Sequence, residues 1–183
     1  MLATMEKFWL GKMLSRTPKS APGTVPQNVD YTNAEVQFSM GLQLASGEGS
    51  TQDYVQAAEW YRKAAEQNHC LALLNLGTMY ANGQGVARDE AQSGIWFGRA
   101  ANLGDAGGQY YMGVNCQRAS MNGLAATAPE ARIEAYKWYQ LSAAQGYQIA
   151  EGASATLTVK MTRGDVAEAI QRVASFVVAG KAS

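Results

Sequence analysis

The chain repeats itself with a step of 36 residues, and that step constrains its fold more than any other feature. Gly41, Gly77 and Gly113 are spaced by it, as are Trp60 and Trp96, with Trp138 following after 42. Each tryptophan is followed by a second aromatic: Tyr61, Phe97 and Tyr139. Small residues come four and five places later, at Ala64-Ala65, Ala100-Ala101 and Ser142-Ala143. Asn68, Gly104 and Gly146 stand eight places after each tryptophan. Gly47-Glu48-Gly49 matches Gly83-Gln84-Gly85, and Asp53 matches Asp89. A period in this range marks a stack of small units, none able to bury its apolar face alone.

Each unit reads as a helix pair. Residues 70–82 carry Leu73, Leu76 and Tyr80 at helical spacing. The Gly-x-Gly step then turns the chain into a second helix, roughly 52–67 or 88–102, with Asp53 or Asp89 in its first turn, where a carboxylate complements the exposed N–H groups. Asn68, Gly104 and Gly146 end the second helices because asparagine and glycine accept the left-handed conformation. Gly41, Gly77 and Gly113 fall mid-helix, where glycine costs about 1 kcal/mol relative to alanine. Their register implies a helix passing too close for a Cβ, with the alanine pairs as the natural packing surface.

The ends and the third unit differ. Six extra residues fall around Ala119–Ala128, and they predict a longer loop there, with Pro129 starting the next helix. Such an insertion is a functional loop or a neutral one. Residues 148–183 read as a degenerate fourth unit with a C-terminal capping helix, with Val166, Ala169, Ile170, Val173 and Val177 on one side. Residues 17–33 hold three of the four prolines and read as a linker. Residues 1–16 read as an amphipathic helix with Leu2, Met5, Phe8, Trp9 and Met13 together. That helix caps the first repeat, docks a partner or membrane surface, or is a targeting segment. Glu6 and Lys7 interrupt the apolar core that a secretory signal needs.

The units resemble Sel1-like repeats, relatives of the tetratricopeptide repeat. The residues that carry the resemblance are Leu76-Gly77-Thr78-Met79-Tyr80-Ala81-Asn82-Gly83-Gln84-Gly85-Val86-Ala87-Arg88-Asp89, with Trp60-Tyr61-Arg62-Lys63-Ala64-Ala65 in the preceding unit. On this pattern the repeats occupy 34–69, 70–105 and 106–147. Cys116 replaces the motif tyrosine in the third. The resemblance implies an all-α fold, a right-handed α-solenoid of helix-turn-helix repeats. It also implies adaptor or scaffold work through protein binding, largely in bacteria.

Nothing in the chain points to catalysis. The one histidine, His69, reads as an exposed turn residue beside Asn68 and Cys70. Zinc needs four ligands, and Cys116 is remote in register. Ten helical positions separate Cys70 from the place of Cys116, about 15 Å along the axis. A disulfide needs Cα atoms within about 7 Å, so both cysteines are expected to be free thiols, which suits a reducing cytoplasm. Gly83-Gln84-Gly85 lacks the strand and Lys-Ser/Thr of a phosphate loop. No catalytic residue, metal site or cofactor is expected.

Fifteen basic residues balance fifteen acidic ones, which disfavours a nucleic-acid partner. Membrane contact is expected only through residues 1–16. Counting each first helix from Ala34, Cys70 and Ala106, places 2, 5, 9 and 13 define a concave stripe. It reads Glu35, Phe38, Leu42, Ser46; Leu71, Leu74, Thr78, Asn82; Gly107, Tyr110, Val114, Arg118. Its apolar floor and Arg118 rim suit a partner helix or peptide, either another protein or residues 1–16 themselves. Part of the stripe packing against a neighbouring unit is the competing reading. The functional alternative is a hydrolase acting on cell-wall or small-molecule substrates, which would need a buried carboxylate or histidine with a shifted pKa.

Overall fold

The computed structural model describes residues 30–47, 49, 51–122 and 127–176. The segment 1–16, Val177 and nearly all of the linker lie outside the described residues. Eight helices and no strand are found among those described. They are α1 (Ala34–Ser46), α2 (Tyr54–Glu66), α3 (Cys70–Asn82), α4 (Glu90–Asn102), α5 (Ala106–Asn122), α6 (Ala128–Ala143), α7 (Gln148–Thr158) and α8 (Arg163–Ala174). Within each unit the two helices pack together: α1 on α2, α3 on α4, α5 on α6. Each second helix also packs on the next unit's first helix, so the chain stacks in order as an all-α solenoid.

Local hydrogen bonds carry the same step. The Asp53 N–H donates to the Leu44 carbonyl and the Asp89 N–H to that of Tyr80, both at 2.9 Å. Asp53 and Asp89 are the N-caps of α2 and α4, just ahead of the first turn, each accepting two backbone N–H bonds. At the far ends the His69 N–H reaches the Ala64 carbonyl, Asp105 reaches Ala100, and Tyr147 reaches Ser142. The intervening Asn68, Gly104 and Gly146 all have positive φ. Asn68 is the one non-glycine in that region among the described residues.

The mid-helix glycines face rings. A Cβ on Gly41 would lie 2.6 Å from Tyr61 Cδ1, one on Gly77 2.7 Å from Phe97 Cδ1, and one on Gly113 2.5 Å from Tyr139 Cδ1. The close partner is therefore the aromatic that follows each tryptophan. The alanine pair serves the next junction, since a Cβ on Gly108 would lie 2.7 Å from Ala100 Cβ. Gln37 and Gln109 are buried at the same repeat place; their amide oxygens accept from Gln67 and Gln145, and their amide N–H groups donate to the Tyr31 and Ala101 carbonyls. The second unit replaces both partners with Leu73 and Leu103, which pack in the core. Either solution leaves no orphaned amide.

The six extra residues of the third unit lengthen its helices. α5 has 17 residues and α6 has 16, against 13 in each helix of the first two units. Gly47 and Gly83 stop α1 and α3 by adopting φ of 72° and 71°. Ala119 holds that place in α5 and cannot do so cheaply, and the helix runs on to Asn122. Pro129 lies in the first turn of α6.

α8 departs from the repeat plan. It packs against α6, with no comparable contact to α7. Thr162 and Asp165 form a capping box at its start. Near its end Arg172 donates to Glu130, Glu134 and Glu168. Burial alone would raise the Glu134 pKa, but hydrogen bonds from Lys137 and Arg172 hold it below the ordinary glutamate value. A depressed folded pKa gives stability that is present above 4.5 and lost as pH falls below it. Replacing Arg172 by Met is expected to cost about 1–2 kcal/mol. Thermal melts from pH 6 to pH 3 are expected to show a smaller acid loss in Arg172→Met than in the parent.

Candidate functional site: the first-helix face

The face carrying places 2, 5, 9 and 13 is largely taken up in joining the units. Phe38 is 6% exposed and Leu74 is 3% exposed. Residues at the start of the next unit's first helix cover each of them. The His69 ring stacks on Phe38 at 4.6 Å. Leu74 packs under Gly107, whose Cβ would lie 3.0 Å from Leu74 Cδ2, with Asp105 Oδ1 at 3.2 Å. The same register places Tyr147 on Tyr110, with ring centroids 5.3 Å apart. Phe38 and Leu74 are therefore core residues, out of reach of any ligand. Gly107 is buried as well. Counting places along one helix cannot reveal this, because the covering side chain comes from the next unit.

What stays open is narrower. Leu42, Leu71, Thr78, Tyr110 and Val114 are half-buried, while Glu35 and Arg118 are exposed. Thr78 donates its hydroxyl to the Leu74 carbonyl one turn back. Arg118 donates to Asn115 and pairs with Glu90 at 3.3 Å. Leu42 and Leu71 lean on the first core cluster, and Tyr110 and Val114 on the second. Partly solvated residues of this row thus remain on all three units, with Glu35 exposed in the first and Arg118 in the third.

His69 has more partners than a surface turn would give it. Its Nδ1 accepts the Ala72 N–H at 3.2 Å and caps α3. Its Nε2 lies 2.9 Å from Glu35 Oε2. The ring therefore joins two units through a cap, a hydrogen bond to Glu35 and a stack. These are structural tasks that occupy both ring nitrogens. Replacing His69 by Ala removes all three and is expected to lower stability by about 1–2 kcal/mol. Asn, which keeps only the cap, is expected to recover part of that in thermal melts.

The two cysteines, Cys70 and Cys116, are free. Burial raises both thiols above their usual pKa, aided by Asp105 near Cys70 and Glu134 near Cys116, which lowers thiolate content and reactivity. Burial also raises Asp105, against hydrogen bonds from the Gly108 and Gly107 N–H groups. Tyr147 is pushed up to about 12 by burial and by its neighbours Tyr111, Tyr110 and Asp105. Asp105 thus serves as a helix cap in a junction packed with aromatic rings. Among the described residues, no three His, Cys, Asp or Glu side chains group as a metal site would require. No described helix is long and apolar enough to cross a membrane.

A family model described as Sel1 repeat matches residues 34–69, 70–105 and 106–147. The chain belongs to the Sel1 repeat family. Members of that family are generally protein-interaction modules. A solved structure of a Sel1 repeat protein from Oxalobacter formigenes is 30% identical, with a TM-score of 0.61; the match covers 76% of this chain and 56% of that one. A protective antigen of uropathogenic Escherichia coli displaying an SLR fold is 26% identical, with a TM-score of 0.48, over 76% of this chain and 38% of that one. This Sel1 repeat protein thus spans about half the length of the first relative and less of the second. No curated protein matches the chain.

Proposed function

We propose that this Sel1 repeat protein is a non-enzymatic adaptor or accessory subunit that holds a peptide or helix of another protein along its first-helix face. The observation that supports the reading is the partly solvated row of Leu42, Leu71, Tyr110 and Val114, with Glu35 exposed in the first unit and Arg118 in the third. Partly solvated apolar residues with opposite charges in the outer units suit an amphipathic segment of complementary polarity. The hydrolase alternative calls for a buried carboxylate or histidine with a shifted pKa; Asp105 is raised by burial, but it accepts the Gly108 N–H at the start of α5, and His69 caps α3, so both groups are committed to helix starts. Two free, weakly acidic thiols suit a reducing compartment, and we place the protein in the cytoplasm.

The test is a triple variant, Leu42→Lys, Val114→Lys and Arg118→Glu, used as bait in affinity purification from the native organism. All three positions are at least partly solvated, so melting is expected to fall by only a few degrees, roughly 1–2 kcal/mol. Recovery of the partner is expected to drop at least tenfold. Undiminished recovery by a folded variant would refute this face as the binding surface.

A further inference from the structure

The fourth unit is missing its second helix. In the first three units the second helix brings a ring onto place 8 of the first: Tyr61 onto Gly41, Phe97 onto Gly77, Tyr139 onto Gly113. In α7, place 8 is Ala155, and it is exposed, with α8 packed on α6 instead. α7 buries only Ala150, Ser154 and Leu157. Its opposite side carries Gly152, Ala155, Thr156 and Val159, all exposed and at helical spacing. Val159 keeps helical φ and ψ as the C-cap and is 87% exposed. Nothing lies within 4 Å of a Cβ on Gly152. The face has no partner among the described residues.

We propose that this face of α7 pairs with the same face of a second copy of the chain, antiparallel about a two-fold axis between Ala155 and Thr156. Shape comes first. Gly152 and Val159 stand equally far from that centre and almost in line along the helix. Reversing a second helix about the centre therefore seats each Val159 over the other copy's Gly152, where the space for a side chain is empty. Ala155 and Thr156 meet their own counterparts, and their small size lets the axes come within about 8 Å. The Thr156 hydroxyl already donates to the Gly152 carbonyl at 2.9 Å, so covering it leaves no unpaired donor. A face that is bulky at one end and empty at the other fits itself only when reversed.

Charge gives the same direction. The Glu151 and Lys160 side chains are exposed, and neither has a hydrogen-bond or ion-pair partner among the described residues. They too are equidistant from the centre. The reversed pair has an acid and a base at each end, whereas a parallel pair sets acid level with acid and base with base. Ile149, 45% exposed, falls on the same flank as the stem of the other copy's Lys160.

Extent sets the strength. α7 has 11 residues, about 16 Å of helix, and two such faces bury less than the roughly 1,200 Å² of a tight complex. The dimer is therefore a weak, exchanging one, with a Kd on the order of 100 µM. The rival occupant is the α1 end of a neighbouring stack, which would build an open filament. α1 sets exposed Ser39 and Gln43 beside half-buried Val36 and Met40. It has no exposed glycine and no base, so it supplies neither half of the match that the reversed α7 supplies.

Analytical ultracentrifugation of the full chain from about 10 µM to about 1 mM brackets that constant. The parent is expected to rise from the 19.6 kDa monomer towards twice that mass. Val159→Asp, at an exposed position, is expected to stay monomeric throughout with an unchanged melting temperature. Disulfide trapping reads the register, in a chain that carries Cys70→Ala and Cys116→Ala. The axis brings the two Ala155 Cα atoms within the roughly 7 Å that a disulfide needs. Ala155→Cys is expected to cross-link at least tenfold faster than Ser39→Cys, and adding Val159→Asp is expected to abolish the difference. The proposal is overturned if the parent is monomeric at about 1 mM, if Val159→Asp associates like the parent, or if Ala155→Cys cross-links no faster than Ser39→Cys. Growth past the dimer would overturn it too, since the occupant would then be the other end of the stack. None of these readouts depends on partner capture by the first-helix face.

Discussion

Replacing Gly77 by Ala is expected to destabilise the protein by about 2–3 kcal/mol, although alanine is the better helix former by about 1 kcal/mol. The added methyl would lie 2.7 Å from both Cδ1 and Cε1 of Phe97. Phe97 cannot swing away, because Tyr111 stacks on its other side with centroids 4.3 Å apart and planes 8° from parallel. Either the ring leaves its well or the two helices separate, and the α4–α5 junction moves with them. Removing the ring should remove most of that cost. In the Phe97→Leu background, Gly77→Ala is expected to cost less than about 1 kcal/mol, since leucine leaves room for the methyl and the propensity gain is realised. Chemical denaturation of the four proteins of this cycle gives the coupling. Additive costs would mean that Gly77 and Phe97 do not pack as described.

The second large effect contrasts two glycines at one repeat place. Gly49 and Gly85 both have positive φ, 76° and 68°. A Cβ on Gly85 would collide with the Tyr54 backbone carbonyl, which belongs to the preceding unit. A Cβ on Gly49 would meet only Gln43 Nε2 at 3.7 Å. The first unit has no such neighbour before it among the described residues. Gly49→Ala is therefore expected to cost about 1 kcal/mol from its backbone conformation alone. Gly85→Ala adds a clash with backbone that cannot rotate aside, and is expected to cost at least about 3 kcal/mol. Thermal melts of the two single variants separate the cases. Equal losses would show that the Gly85 turn does not rest on α2.

These two glycines also show how far the sequence can be read. The spacing of Gly41, Gly77 and Gly113 announces a close approach, and the approach is there. Periodicity within one unit cannot say which ring fills it, and the alanine pairs turn out to serve the neighbouring junction through Gly108. Helix ends were legible wherever a residue had to adopt positive φ, as at Gly47, Gly83 and Asn68. The extension of α5 had a signal too, in Ala119 standing where Gly47 and Gly83 stop the earlier helices.

The candidate site was harder to read. Phe38 and Leu74 sit on the predicted stripe, yet the residues that open the following units cover them. Contacts between units join residues 30 to 37 places apart, beyond the reach of a helical wheel. α8 lies against α6 instead of α7, with Ala169 in the core and Arg172 meeting Glu130 and Glu134 across some 40 residues. No local pattern encodes that pairing.

The central claim is a stack of helix pairs, each closed by one ring against one glycine. Nuclear Overhauser contacts in the full chain test it most directly. The account predicts contacts from the Hα protons of Gly41, Gly77 and Gly113 to the rings of Tyr61, Phe97 and Tyr139 respectively, each with an upfield ring-current shift. Glycine Hα protons that contact the alanine pairs instead, or that show no ring contact, would contradict it.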